Sequence, residues 1–151
     1  MRRSTCVVRM ATGVAVLAAA VAGCAPRAPD DSSWVDQAHL ALEDTSSQVA
    51  TVSLLLRLAT EDKVLGKYQQ VVAQDSETAV GATLQHFGGE QPPPQDDATY
   101  AEVTGVLTDA SDLLSQVRIA VVRRATSDYP ALLTELESVG RDLTATAEGL
   151  P

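Results

Sequence analysis

Apolar residues recur in alternating steps of three and four along three long stretches of this chain, and no strand-like alternation by two is sustained anywhere. The first stretch runs through Val35, Ala38, Leu42, Thr45, Val49, Val52, Leu56 and Ala59. The second runs through Tyr100, Val103, Leu107, Ala110, Leu114, Val117 and Val121, and the third through Tyr129, Leu133, Leu136, Gly140, Leu143, Ala147 and Leu150. This spacing draws one apolar seam along each helix, as bundles and coiled coils require. A fourth stretch, 65–87, is less regular. Tyr68, Val72, Ala79, Val80, Leu84 and Phe87 drift around the helix, and Asp75 falls on the seam. That placement makes Asp75 the one candidate for a buried carboxylate of raised pKa, although such a residue more often marks a wet seam.

The breaks between seams have recognisable chemistry. Glu61-Asp62-Lys63 and Gly66 interrupt the first seam, which leaves either a turn there or one long kinked helix. Gly88-Gly89 closes the next helix and Pro92-Pro93-Pro94 forbids its continuation. Thr99 and Glu102 have capping-box spacing, with Asp96 or Asp97 as a cap one turn earlier. Ser127-Asp128 and Pro130 restart the chain after Arg123-Arg124, basic residues well placed at a helix C-terminus. The expectation is an all-α fold, a four-helix up-down-up-down bundle over residues 32–150. Aromatic side chains are scarce and Ala, Ser, Thr and Val plentiful, so the helices should approach closely and leave no room for a large cofactor.

Ahead of the bundle lies a different kind of sequence. Arg2, Arg3 and Arg9 precede an apolar run of 13 residues, Met10 to Ala22, that ends in small residues and a cysteine. This is the build of a cleaved secretory signal, and the run is well below the roughly 20 residues of a membrane-spanning helix. Val21-Ala22-Gly23-Cys24 resembles the lipobox of bacterial lipoproteins, in which the cysteine is acylated and becomes the first mature residue. The resemblance implies a signal peptide over 1–23 and a lipid anchor on Cys24 that holds the protein to the outer face of the cell membrane. The alternative, an ordinary secretory signal with an incidental Cys24, leaves the compartment unchanged. Residues 24–31 are then the lipidated cysteine and a tether, with two prolines, that spans at most about 23 Å fully extended.

Charge narrows the partners. The chain carries −9, and since Arg2, Arg3 and Arg9 leave with the signal while all 20 acidic residues follow it, the remainder carries −12. Phosphate backbones repel such a domain, which excludes nucleic acid as a partner. Anionic lipid repels it too, so the acyl group and not a polybasic patch must supply membrane attachment. Cys6 lies in the signal and Cys24 carries the lipid, so no cysteine remains for a disulfide, a nucleophile or a thiolate-bound metal.

Leu54-Leu55-Leu56-Arg57-Leu58, Gly66-Lys67-Tyr68, Gln91-Pro92-Pro93-Pro94 and Val117-Arg118-Ile119-Ala120-Val121-Val122-Arg123-Arg124 together resemble a group of small helical actinobacterial lipoproteins of unknown function. Members of that group often have a proline near the Gly66 turn; this chain has none there. The resemblance implies a host and a compartment and carries no activity.

Catalytic chemistry finds little support. Asp36-x-x-His39 with Glu43 is the one carboxylate–histidine spacing, and the second such motif that a di-iron bundle needs is missing, because His86 has Thr83 at that spacing. A solvated face is the better reading of these three residues, and no metal, cofactor or catalytic residue is expected. No nucleophile elbow, phosphate loop or dinucleotide fingerprint occurs, so no enzyme is expected. Trp34 is read as a cap packed with Phe87 and Tyr100, against the alternative of an interfacial tryptophan near the lipid. In the expected topology Lys63, Lys67, Arg118, Arg123 and Arg124 gather at the far end, beside apolar Leu54, Leu55, Leu58, Ile119, Ala120 and Val122. The opposite end collects Asp30, Asp31, Asp36, Glu90, Asp96, Asp97 and Glu148. The five basic residues form a candidate docking patch for an envelope protein or anionic polymer; the bland reading is a core capped by dipole-compensating arginines. The expected function is a non-enzymatic envelope-interaction module, and the alternative is a small-ligand-binding or sensory bundle.

Overall fold

The computed structural model describes residues 31–90 and 92–151, so the signal segment, Cys24 and the tether as far as Asp30 lie outside the described residues. Four long helices account for most of the chain: α1 (Asp31–Thr60), α2 (Gly66–Gly88), α3 (Asp97–Arg123) and α4 (Tyr129–Gly149). Single 3₁₀ turns at Pro94–Asp96 and Thr126–Asp128 lead into α3 and α4, and no strand occurs among the described residues.

Local chemistry accounts for the ends. After α1 the chain turns through Asp62 in the left-handed region (φ 55°). The Lys63 N–H then reaches back to the Leu58 carbonyl at 2.9 Å and the Asp62 N–H to that of Ala59 at 3.2 Å. This is a Schellman closure, and it makes the region two helices instead of one kinked helix. The same closure ends α3: Arg124 is left-handed (φ 55°), and the Ala125 N–H donates to the Ala120 carbonyl at 2.9 Å. At the end of α2 the polyproline segment does the stopping, since Gly89 stays right-handed with φ −84°. Helix α3 begins at Asp97, two residues before Thr99, so the Thr99/Glu102 capping box is not used. Pro130 sits in the first turn of α4, where its missing N–H leaves no bond unmade.

The helices form a bundle. Helix α1 packs on α2 and α4, α3 packs on the same two, and α1 also touches α3 across the interior. The three regular seams are the core: Ala38, Leu42, Val49, Val52 and Leu56 meet Val103, Leu107, Ala110, Leu114 and Val117, with Leu136 and Leu143 of α4 closing it. Helix α2 departs from expectation. Its buried residues are Ala73, Ser76, Val80 and Phe87, while Asp75 and Tyr68 are exposed. One position along a helix rotates a side chain by about 100°, so moving the seam from Asp75 to Ser76 takes the carboxylate out to water. Asp75 is therefore not a buried acid.

At one end Trp34, Phe87 and Tyr100 bring together the start of α1, the end of α2 and the start of α3. Ring centroids lie 6.0 Å apart for Trp34–Phe87, 6.4 Å for Trp34–Tyr100 and 5.6 Å for Phe87–Tyr100. Trp34 is only 2% exposed, so it caps the bundle and has no free face for a lipid headgroup.

Candidate functional site

At the other end the first turn of α2, the end of α3 and the start of α4 surround a half-open cleft of about 610 Å³. That volume is within the range of small-molecule sites, about 300–1,000 Å³. Lys67 and Gln70 come from α2, Arg124 from the left-handed closure of α3, Thr126 from the 3₁₀ turn and Tyr129 from the head of α4; Leu65 forms part of the wall. The short connections 61–65 and 124–128 put these residues together, because each must reverse the chain within a few residues.

Tyr129 forms part of the lining and is 1% exposed. Its hydroxyl donates to Gln69 Oε1 at 3.4 Å, and Gln69 Nε2 donates in turn to the Val64 carbonyl at 2.9 Å. Burial pushes the Tyr129 phenol above its ordinary pKa, since a phenolate there would lose its hydration. This lining is held in place from the α1–α2 connection through α2 to α4.

The five basic residues expected at this end differ in their partners. Lys67 and Arg124 line the cleft, and neither forms an ion pair among the described residues. Arg123 is exposed beside Arg124 and is likewise unpaired there. Lys63 pairs with Glu61 two residues before it. Arg118 pairs with Glu77 of α2 at a part-buried position, so its charge is spent between helices. Of the apolar residues expected beside them, Leu55 and Ala120 belong to the core, while Leu54, Ile119 and Val122 are exposed. Leu65 (82%), Tyr68 and Val71 extend the exposed apolar surface at the start of α2.

Charge distinguishes this cleft from its neighbours. Its lining has two cations and no carboxylate, in a chain with 20 acidic residues. Four further clefts each include at least one acid: Asp44 between α1 and α2, and Glu137, Glu148 or Glu43 along α4 and α1. The cleft escaped sequence reading because its residues come from three elements with no common spacing. The available signal was the gathering of Lys67 and Arg124 at one end, which helix lengths alone give.

Asp36 and Glu43 are exposed and His39 half-buried on α1. Among the described residues no group of three His, Cys, Asp or Glu side chains is arranged to hold a metal ion. No helix among them is long and apolar enough to cross a membrane. Compared with known protein families, curated proteins and solved structures, the chain matches none.

Proposed function

We propose that this chain is an extracytoplasmic lipoprotein of the small actinobacterial group, anchored through an acyl group on Cys24. Its bundle is up-down-up-down, and it makes a non-enzymatic contact with an anionic envelope component at the end farther from the anchor. The observation that carries this reading is the cleft with unpaired Lys67 and Arg124 and no acid in its lining. Further support comes from position. Trp34 stands ten residues after Cys24 and packs at one end of the bundle, whereas the two left-handed turns at Asp62 and Arg124 stand at the other. Helix α1, 30 residues long, separates the two by about 45 Å. A basic cleft held that far from the anchor faces the envelope, and the acidity of the rest of the chain leaves it the preferred landing place for negative charge.

The volume of the cleft favours a second reading, a bundle that binds a small ligand at this end.

Crosslinking in intact cells followed by pull-down tests the contact. Changing Arg123 and Arg124 to glutamate should abolish co-purification of the partner with helicity intact, while changing Asp96 and Asp97 to lysine should not. Partner recovery unchanged by the arginine reversal overturns the docking reading. The anchor has its own test: Cys24→Ser should leave protein without an acyl label, and a variant still membrane-bound with residues 1–23 removed overturns it.

A further inference from the structure

We infer that the cleft at the start of α2 is a site for a phosphate monoester, held between Lys67 and Arg124 and bounded by Gln70, Thr126 and Tyr129. The inference deepens the envelope-contact reading by naming the chemistry recognised, and it rests on that reading only for the source of the ligand.

Charge balance points to phosphate over carboxylate. Two cations, Lys67 of α2 and Arg124 at the closure of α3, line one concave volume, and no acid in the lining neutralises either. A single carboxylate would leave one of them uncompensated, whereas a monoester near neutral pH carries close to two charges. Arginine presents a planar fork of donors and lysine a point charge, so together they address several phosphate oxygens. The remaining polar lining suits the same ligand. The Gln70 amide and the Thr126 hydroxyl are both able to donate to phosphate oxygens, and the Tyr129 hydroxyl, which donates to Gln69, still has lone pairs for a ligand hydroxyl. Leu65 and Val121 give the cleft an apolar wall against which a short carbon skeleton can rest. The volume, about 610 Å³, exceeds what a bare phosphate fills and accommodates a phosphorylated polyol or sugar.

Arg124 bears on this assignment through its backbone. It occupies the left-handed closing position of α3, where glycine has no steric cost and a long side chain does. The side chain lines the cleft and forms no ion pair among the described residues. Loss of the side chain should therefore affect ligand binding without harming the fold.

The test is isothermal titration of the full chain, purified in detergent from membranes, with three probes: sn-glycerol 3-phosphate, a glycerol phosphodiester oligomer ending in a monoester, and succinate. Binding of the monoester, of the oligomer or of both supports the site, and the ratio between them tells a free metabolite from a polymer end. The proposal expects Arg124→Gly and Lys67→Gln each to weaken phosphate binding at least tenfold, with Arg141→Gln, on the wall of a different cleft, within twofold of wild type. The melting midpoint of Arg124→Gly should equal or exceed that of wild type, which separates lost binding from lost folding. Absence of binding by both phosphate probes, equal binding of succinate, or affinity unchanged in both cleft variants overturns it. If the phosphate probes fail while the Arg123/Arg124 reversal still loses the crosslinked partner, the phosphate site falls and the docking reading stands.

Discussion

Arg118 on α3 donates through its Nε to the Glu77 carboxylate on α2, 41 positions earlier in the chain, at a site where both side chains are partly covered. The pair ties two neighbouring helices together near the Arg124 end and removes Arg118 from the surface charge available to a ligand. Arg118 and Arg124 are six residues apart on one helix end and have different jobs: one holds helices together, the other lines a cleft.

Exposed ion pairs contribute little, and a part-covered one somewhat more, on the order of 1 kcal/mol. Arg118→Gln and Glu77→Gln should each lower stability by about that amount, and the double variant should lose less than the two summed. A denaturant-unfolding cycle on the four proteins measures the coupling. Coupling near zero would show that the pair contributes nothing to holding α2 against α3.

Leu114 and Leu136 are buried at mid-helix in the α3 and α4 seams. Truncating such a leucine to alanine typically costs about 2–5 kcal/mol, part of it from the cavity left behind. Both variants should show much lower denaturation midpoints by circular dichroism with the helical signal of the native state preserved. Unchanged midpoints would mean that these seams do not form the core.

Thr45 is fully buried on the α1 seam, and its hydroxyl has no hydrogen-bond partner among the described residues. Desolvating an unpaired hydroxyl costs roughly 1–3 kcal/mol, and valine has nearly the same shape without that cost. Thr45→Val should raise the unfolding free energy by about 1 kcal/mol. A loss of stability would reveal a bond made by the hydroxyl in solution.

The Tyr129 phenol has a raised pKa in the folded state because burial disfavours the phenolate. Its contribution to stability is therefore complete below the ordinary phenol pKa near 10, and is lost as pH rises through the folded-state value. Denaturant midpoints measured from pH 8 to 11.5 should fall more steeply above pH 10 for wild type than for Tyr129→Phe. Parallel profiles would show that the phenol ionises equally easily in both states.

Three of the four helices were legible because each has an apolar residue at nearly every step of its seam, and periodicity needs nothing from elsewhere in the chain. Leu107, Leu114 and Val117 announce the buried face of α3 whatever lies opposite. Helix α2 was harder, since its buried face is built from Ala73 and Ser76 as well as Val80 and Phe87. Small and weakly polar residues carry no hydrophobic signal of their own, and only the close approach of α1 and α3 covers them. Burial at Ser76 and exposure at Asp75 are thus decided by packing. The turn at Asp62 was foreseeable as a break in the seam, yet the choice between a kink and a full closure depended on the bond from the Lys63 N–H to the Leu58 carbonyl.

The basic end shows the same division more sharply. Sequence spacing places Lys63, Lys67, Arg118, Arg123 and Arg124 near one end through helix lengths alone, because a helix rises by a constant amount per residue. Spacing has no access to which acid lies across from which base. The tertiary structure pairs Arg118 with Glu77, sets Lys63 against Glu61, and leaves Lys67 and Arg124 facing one cleft with Tyr129. What a helix does to its own residues is written in the local pattern; what two helices do to each other depends on contacts between positions tens of residues apart, and those exist only once the chain has folded.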